Sequence, residues 1–533
     1  METQLDTRPQ IDLRSGLSSG RLIIVSNRGA VEHYIDDLGG LRQRPAGGGV
    51  AIALSSIAKS EPLTWISAAC GFPDRFVSMT KGRVPLGNES ELRLFNLPED
   101  VYTPFYESFC NPLLWFVQHS ITSQLSGRDL EAQSINSWHQ GYIPANQLFA
   151  NAVIEELGAE SPGERVMLHD YHLYLAPRLI RAARPQAALQ HFVHIPWPAP
   201  SVWQALPKRI VDDICDGLLG NDSVVFQTEE SVENFLDTCR VYLGPKADVC
   251  CRRGEIRYAG RKTVAWANPI SVDMDELRVL GESDEVRRFK ANLASGTDEK
   301  LIVRVDRLDP SKNVIRGFEA FETLLRDLPQ LCGRVRFLAF LVPTRSGIPE
   351  YDAYTRATFE IVERINSQYG TADWQPISVY HEQNRPQALA GLMLYDVLLV
   401  NSVADGMNLV SKEGPVLNEK DGVLVLSRAA GSFEQLRAGS IGVDPVDVGA
   451  TAAALETALS MSENERRERA SLNRLVISNH GLQDWLRMQL KDLSVSEYVA
   501  CLSGPRQTEH PPRHKPLFDA AGRRLGKRSG LTA

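Results

Sequence analysis

The stretch Lys300–Phe321, KLIVRVDRLDPSKNVIRGFEAF, decides the fold. Its first part, LIVRVD, reads as a strand buried on both faces. From DPSKN onward the pattern reads as a helix start, with Asp309 or Ser311 as cap and Pro310 near the first helical position. Arg307 and Lys312 flank that helix N-terminus. Two cations beside free N–H groups make an anion site suited to a diphosphate.

The same alternation recurs along the chain. RLIIVSN, ERVMLHD, LQHFVHI, DSVVFQT, VRFLAFLVP and DVLLVNS read as further buried strands. GGVAIALSSIAKS, LAPRLIRAARP, YTRATFEIVERINSQYG and RPQALAGLMLY read as helices on apolar spacing. Strand and helix in alternation predict parallel doubly wound sheets. The series runs once to about NPISVD and restarts at KLIVRVD, so we expect two Rossmann-like α/β domains facing a cleft. The expected divisions are a disordered tail over 1–20, a first domain over 21–275, a second over 276–480, a helix over 481–503 packing back on the first domain, and a disordered tail over 504–533.

Composition narrows the function class. Over 533 residues, 43% hydrophobic and 23% charged content is ordinary for a globular protein, and a net charge of −8 argues against nucleic acid as the main partner. The N-terminus lacks the apolar core of a signal peptide, and no run approaches the ~18 apolar residues of a membrane span. The eight cysteines are scattered without a CxxC pair, which fits free thiols in a reducing cytoplasm. We expect no metal, no cofactor and no membrane partner; a homo-oligomer stays open.

Ligands of such sheets bind beyond the carboxyl ends of the strands, so the polar residues there are the candidates. VSNRGA places Arg28 after the first strand. Gly47, Gly48 and Gly49 precede a helix and would let backbone N–H groups approach a phosphate. HDYHL places His169 and Asp170 at a strand end; Asp170 fits a hydrogen-bond acceptor for sugar hydroxyls better than the His169/His172 spacing fits a metal. HIPWP places His194 similarly. In VADGMNLVSKEG (403–414), Asp405 can accept sugar hydroxyls, amides near Asn408 and Leu409 can face phosphate, and Glu413 can hold ribose hydroxyls from one helical turn further on.

Together, VSNR, GGV, HDYHL, HIPWP, DRLDPSKN, DGMNLVSKE and GVLVLS, in this order over about residues 20–495, resemble the retaining glycosyltransferases of the trehalose-6-phosphate synthase family, of GT-B fold. The resemblance implies that Arg307 and Lys312 grip the donor diphosphate and that Glu413 holds the ribose. Asp405, with the backbone of Gly406, Met407, Asn408 and Leu409, would contact donor glucose. Gly48 and Gly49 would close over the phosphates, and His194 would touch the donor sugar. Asp170 would lie near the acceptor hydroxyl, and Arg28, Tyr106, Trp115 and Arg345 would hold the acceptor phosphate. Asp170, His194, Arg307, Lys312 and Asp405 then form the catalytic set. The implied reaction is retaining transfer from a nucleoside diphosphate glucose, UDP-glucose first among them, to glucose-6-phosphate, giving trehalose-6-phosphate. Two related readings are a glucosylglycerol-phosphate synthase and a pseudo-glycosyltransferase coupling cyclitols. A non-enzymatic reading is a regulatory sugar-phosphate-binding homologue; a fused phosphatase is not expected, because residues after 500 give no room for one. Several positions depart from the family pattern: Ala68 for a second Trp, Ala404 for Arg, Ser271 for Gly, RLDPSKN for RLDYxKG, and Gly414-Pro415, which should kink or end its helix.

Overall fold

The structure, a computed structural model, describes residues 22–47, 49–60, 62–125, 130–158, 163–294 and 299–502. The expected tails, 1–20 and 504–533, and Gly48 lie outside them.

Among the described residues, ten strands between Leu22 and Ala267 form one sheet and six between Lys300 and Val443 form another. The first sheet is parallel from Arg261–Ala267 through Ser223–Phe226, Ala188–Phe192, Arg165–His169, Leu22–Ser26 and Leu63–Ala68 to Ser90–Phe95. Its edges are finished by antiparallel strands, Ala247–Cys250 with Glu255–Tyr258 on one side and Arg83–Gly87 on the other. This differs from the all-parallel expectation. Short strands such as EIRY and RVPLG carry the mixed burial of an edge, not the apolar run of a central strand. The second sheet is parallel throughout.

Sheet order creates two switch points. In the first sheet Leu22–Ser26 lies beside Arg165–His169, and among the parallel strands chain order runs outward from that pair in both directions. In the second, Lys300–Arg307 lies beside Val397–Val400 in the same way. The loops leaving these strands diverge and open a crevice, where ligands of open α/β sheets bind. A cavity of about 700 Å³ lies at the other end of the second sheet, where Lys300 and Val335 begin their strands, so it is set apart from that crevice.

The chain returns to its start. The helix Leu482–Leu502 follows the second sheet, yet its Leu482, Trp485, Leu486 and Leu493 join the core of Leu22, Ile24, Met167 and Phe192 in the first. Asn268 Nδ2 donates to the Trp485 carbonyl (3.2 Å), and Gln190 Nε2 to Asp492 (2.7 Å). No helix among the described residues is long and apolar enough to cross a membrane.

The helix Val410–Leu417 corrects one expectation: it runs through Pro415 and ends two residues later, where the Asn418 N–H bonds the Gly414 carbonyl. Tertiary packing overrides the local signal. A Cβ at position 414 would stand 2.3 Å from Leu398 and 3.3 Å from Tyr395, so Gly414 is what lets this helix lie against the sheet.

Candidate active site

On the second sheet, the strand Lys300–Arg307 ends in a tight turn. The side chain of Asp309 accepts from Ser311 N, and Asn313, in the left-handed region at φ 57°, opens the helix Val314–Asp327. Beneath it Arg304 is fully buried, paired with Asp306 (2.8 and 3.0 Å), and donates to the carbonyls of Lys312 (2.9 Å) and Val314 (3.3 Å). Gly317 leaves room for it, since a Cβ there would lie 2.4 Å from Arg304 Nη1. An arginine inside an apolar strand was the sequence signal for this support.

Because Val397–Val400 is the neighbouring strand, the next loop meets that turn. Lys312 Nζ pairs with Asp405 Oδ2 across 93 positions of sequence. The same oxygen receives Asn408 Nδ2 (3.0 Å) and Ser402 Oγ (3.2 Å). Asn408 sits at φ 70°, a conformation asparagine tolerates better than most residues, and its Oδ1 accepts from Ser411 N (3.2 Å) at the mouth of the helix Val410–Leu417. Burial pushes the Asp405 carboxyl up, but Lys312 outweighs it and holds the group below its ordinary value.

On the first sheet, Arg28 is exposed at a strand end and its Nη2 donates to Tyr106 Oη (3.4 Å). Tyr106 stacks between Tyr102 and His172. Asp170 occupies φ 73°, ψ 174°, a region that costs a non-glycine residue ~1–3 kcal/mol and gathers at functional sites. Its carbonyl bonds His191 Nε2 (3.0 Å) and its Oδ1 accepts from His194 N (3.4 Å). Burial raises its carboxyl to about 7. His194 Nε2 lies 3.2 Å from His169 Nδ1, and burial lowers both rings, His194 to about 3, so the pair is neutral at pH 7. His172 stacks on Tyr106 and lies tilted against Tyr171. Among the described residues, no group of three His, Cys, Asp or Glu side chains could hold a metal ion.

The two sides touch. Trp115, at the end of the irregular helical segment that also carries Tyr106, donates its indole N–H to Asp309 Oδ1 (3.2 Å). The Arg345 and Arg307 guanidinium carbons stand 4.1 and 5.1 Å from the Trp115 ring centre. Arg345, at φ 51°, pairs with Asp309, bonds Tyr351 Oη (2.8 Å) and reaches Tyr171 Oη (3.3 Å) on the first sheet. Gly406 presses on the His194 carbonyl, and Met407 enters the core of the first sheet. Glu413 stands apart, 3.7 Å from Arg385, beside a small cavity lined by Ala53, Ser271 and Leu409. Burial raises its carboxyl against Arg385. Gly49 begins the helix Gly49–Ser60, and Gly47 lies against Gln383 of the second sheet's region.

The structure therefore brings Lys312, Asp405 and Asn408 into one cluster, Arg28 and Tyr106 into a second, and Arg307, Trp115 and Arg345 into a third. Sequence reading gave Asp309 only as a cap and missed Tyr171, whose partner Arg345 is 174 positions away, and Tyr351, which bonds Arg345 from 6 positions further along the chain.

The family model described as Glycosyltransferase family 20 matches residues 20–495. A bifunctional trehalose-6-phosphate synthase/phosphatase of Thermoproteus tenax is 34% identical over 85% of this chain and 61% of its own. The chain spans only half to under two-thirds of the length of the first relatives it matches. An alpha,alpha-trehalose-phosphate synthase (UDP-forming) of Burkholderia xenovorans, solved with glucose-6-phosphate, superposes with TM-score 0.75 at 29% identity, over 89% of this chain and all of that one. An E. coli enzyme bound with UDP-2-fluoro glucose gives TM-score 0.76 at 26% identity, over 89% and 99%.

Proposed function

The chain belongs to glycosyltransferase family 20, and from that premise we propose that it transfers glucose from UDP-glucose to glucose-6-phosphate with retention, giving trehalose-6-phosphate and UDP. The observation that carries this reading is the facing of two anion-binding groups across one cleft. Arg307, Lys312 and the helix N-terminus at Leu409 stand on the second sheet's side, assigned to the donor; Arg28 and Tyr106 stand on the first sheet's side, assigned to the acceptor phosphate, toward which Arg345 reaches from the second sheet. A donor diphosphate and a phosphorylated acceptor require such a pair. The UDP-sugar analogue and glucose-6-phosphate bound by the two bacterial relatives support the choice of substrates.

The acceptor hydroxyl oxygen attacks the anomeric carbon on the face the diphosphate leaves. The carbon–oxygen bond to the diphosphate breaks, and the acceptor proton passes to a departing diphosphate oxygen. Arg307, Lys312 and the helix dipole stabilise the charge that develops there. Asp405 pairs with Lys312 and would exchange part of that contact for sugar hydroxyls. Asp170 and the neutral His194 line the path between the sugars. Closure of the two sides around both substrates supplies orientation.

The test is direct: incubate the protein with UDP-, GDP- or ADP-glucose and glucose-6-phosphate, then identify the product and its anomeric configuration. UDP and an α,α-linked disaccharide phosphate are expected. Product with glycerol-3-phosphate alone would replace the acceptor assignment, and no nucleoside diphosphate release with any acceptor would overturn the enzymatic one.

A further inference from the structure

We propose that Asp309 is a positioning residue that couples the acceptor subsite to the donor subsite across the cleft, an inference that rests on the function proposed above. Its carboxylate has no exposed surface and is fully engaged. Oδ1 accepts from Trp115 Nε1 (3.2 Å) on the first side, and from Ser311 N (2.9 Å) and Ser311 Oγ (2.7 Å) in the turn that carries Lys312. Oδ2 pairs with Arg345 Nη1. One group thus touches the arginine assigned to the acceptor phosphate, the turn assigned to the donor diphosphate, and the opposite wall of the cleft.

The way Arg345 is held adds to this. Asp309 and Tyr351 occupy Nη1. The other edge keeps only Tyr171 Oη at 3.3 Å on Nη2, while Nε is buried and meets no partner among the described residues. The Nε/Nη2 edge is one of the bidentate edges a guanidinium offers to phosphate. A buried N–H without a partner costs free energy unless something satisfies it, and an acceptor phosphate would. Asp309 therefore fixes one edge of Arg345 and leaves the other free. It also balances the charge of a guanidinium that is 4% exposed and stands in left-handed backbone. Burial alone would raise the Asp309 carboxyl, but Arg345 and then Arg307 hold it at about 2, so it is ionised throughout the working pH range.

A group that only stabilised the fold would, when altered, lower the melting temperature and leave the coupling between the two substrates as it is in wild type. A coupling group makes a different demand: filling the acceptor site must tighten the donor site through Arg345, Asp309 and the Ser311–Lys312 turn, and the effect must be reciprocal.

The experiment is calorimetric titration of UDP with and without saturating glucose-6-phosphate, on wild type, Asp309→Asn and Trp115→Phe, with thermal melts to confirm folding. Asp309→Asn keeps the shape and an acceptor oxygen but removes the charge; Trp115→Phe removes only the indole N–H from the joint. In wild type, glucose-6-phosphate should tighten UDP by about fivefold or more, the lower end of ordinary coupling. In either folded variant that factor should fall to within about twofold, and Asp309→Asn should also raise the acceptor KM by about tenfold with the Kd for UDP alone little changed. Coupling that survives in a folded variant, or is missing from wild type, overturns the proposal. Failure of the functional reading shows separately, as wild-type protein that binds both ligands yet forms no disaccharide phosphate.

Discussion

Asp170 combines two costs at one position, left-handed backbone and a carboxyl raised by burial to about 7. Its folded value lies above the ordinary 3.8, so between those values the native state holds more protons than the unfolded chain. Stability contributed by the protonated group is complete below about 4, declines as pH rises toward 7, and is lost above it. Asp170→Asn should therefore gain melting temperature relative to wild type at pH 8 but not at pH 4; an offset independent of pH would remove Asp170 as the titrating group. The exposed Arg307 makes a simpler case. Arg307→Ala should leave the melting temperature nearly unchanged, since surface changes stay within about ±0.5 kcal/mol. It should cut kcat by ~10²–10³, the scale of one lost charge-stabilising group. Wild-type turnover would cancel its assignment to the diphosphate. Tyr106→Phe should raise the KM for the phosphorylated acceptor by roughly fivefold, one hydrogen bond's worth, with the donor KM unmoved; the reverse pattern would place Tyr106 on the donor side.

At the scale of elements, the central strands and their flanking helices were legible because an apolar run and a 3.6-residue period are local properties. LIIVS, RVMLH and VLLV could hardly be anything but buried strands. The antiparallel edges and the passage of the helix Val410–Leu417 through Pro415 were not legible, since both depend on what lies opposite. The same helix holds an unforeseen group. Lys412 is 1% exposed, and its Nζ donates to the Ile270 carbonyl (2.7 Å) in the connection between the two sheets. Burial lowers its ammonium from 10.5 to about 7. Here the unfolded chain binds the extra proton between those values, so stability rises with pH from about 7 toward 10.5 and is depressed below 7. Lys412→Met, which fills similar volume without charge, should flatten that rise and improve the melting temperature most at pH 6. If wild type and variant melt in parallel from pH 6 to 10, Lys412 is not titrating in the native state.

For the whole molecule, the candidate residues were readable one by one, but their meeting was not. Lys312 and Asp405 come together because two strands far apart in sequence are neighbours in the sheet, and Trp115 reaches Asp309 because the two sheets' regions are pressed together. Gly406 sits at that contact. A Cβ there would stand 1.9 Å from the His194 carbonyl oxygen, 2.9 Å from its carbon and 3.1 Å from Ile195 Cα. All three are backbone atoms, so no side-chain rotation relieves the clash, and one side of the cleft must withdraw. The largest cores of the two sheets lie elsewhere and do not include position 406. Gly406→Ala should therefore cost little in the melting of either core while separating Lys312 and Arg307 from Trp115 and the acceptor side. A misplacement of about 1 Å can cost ~10²-fold in rate, so kcat should fall by that order. UDP affinity, assigned above to the second side, should change far less, and small-angle scattering should show a more open shape. Were the glycine needed only for its local turn, the variant would melt earlier yet keep full kcat in its folded fraction, and the contact between His194 and Gly406 would then have no part in catalysis.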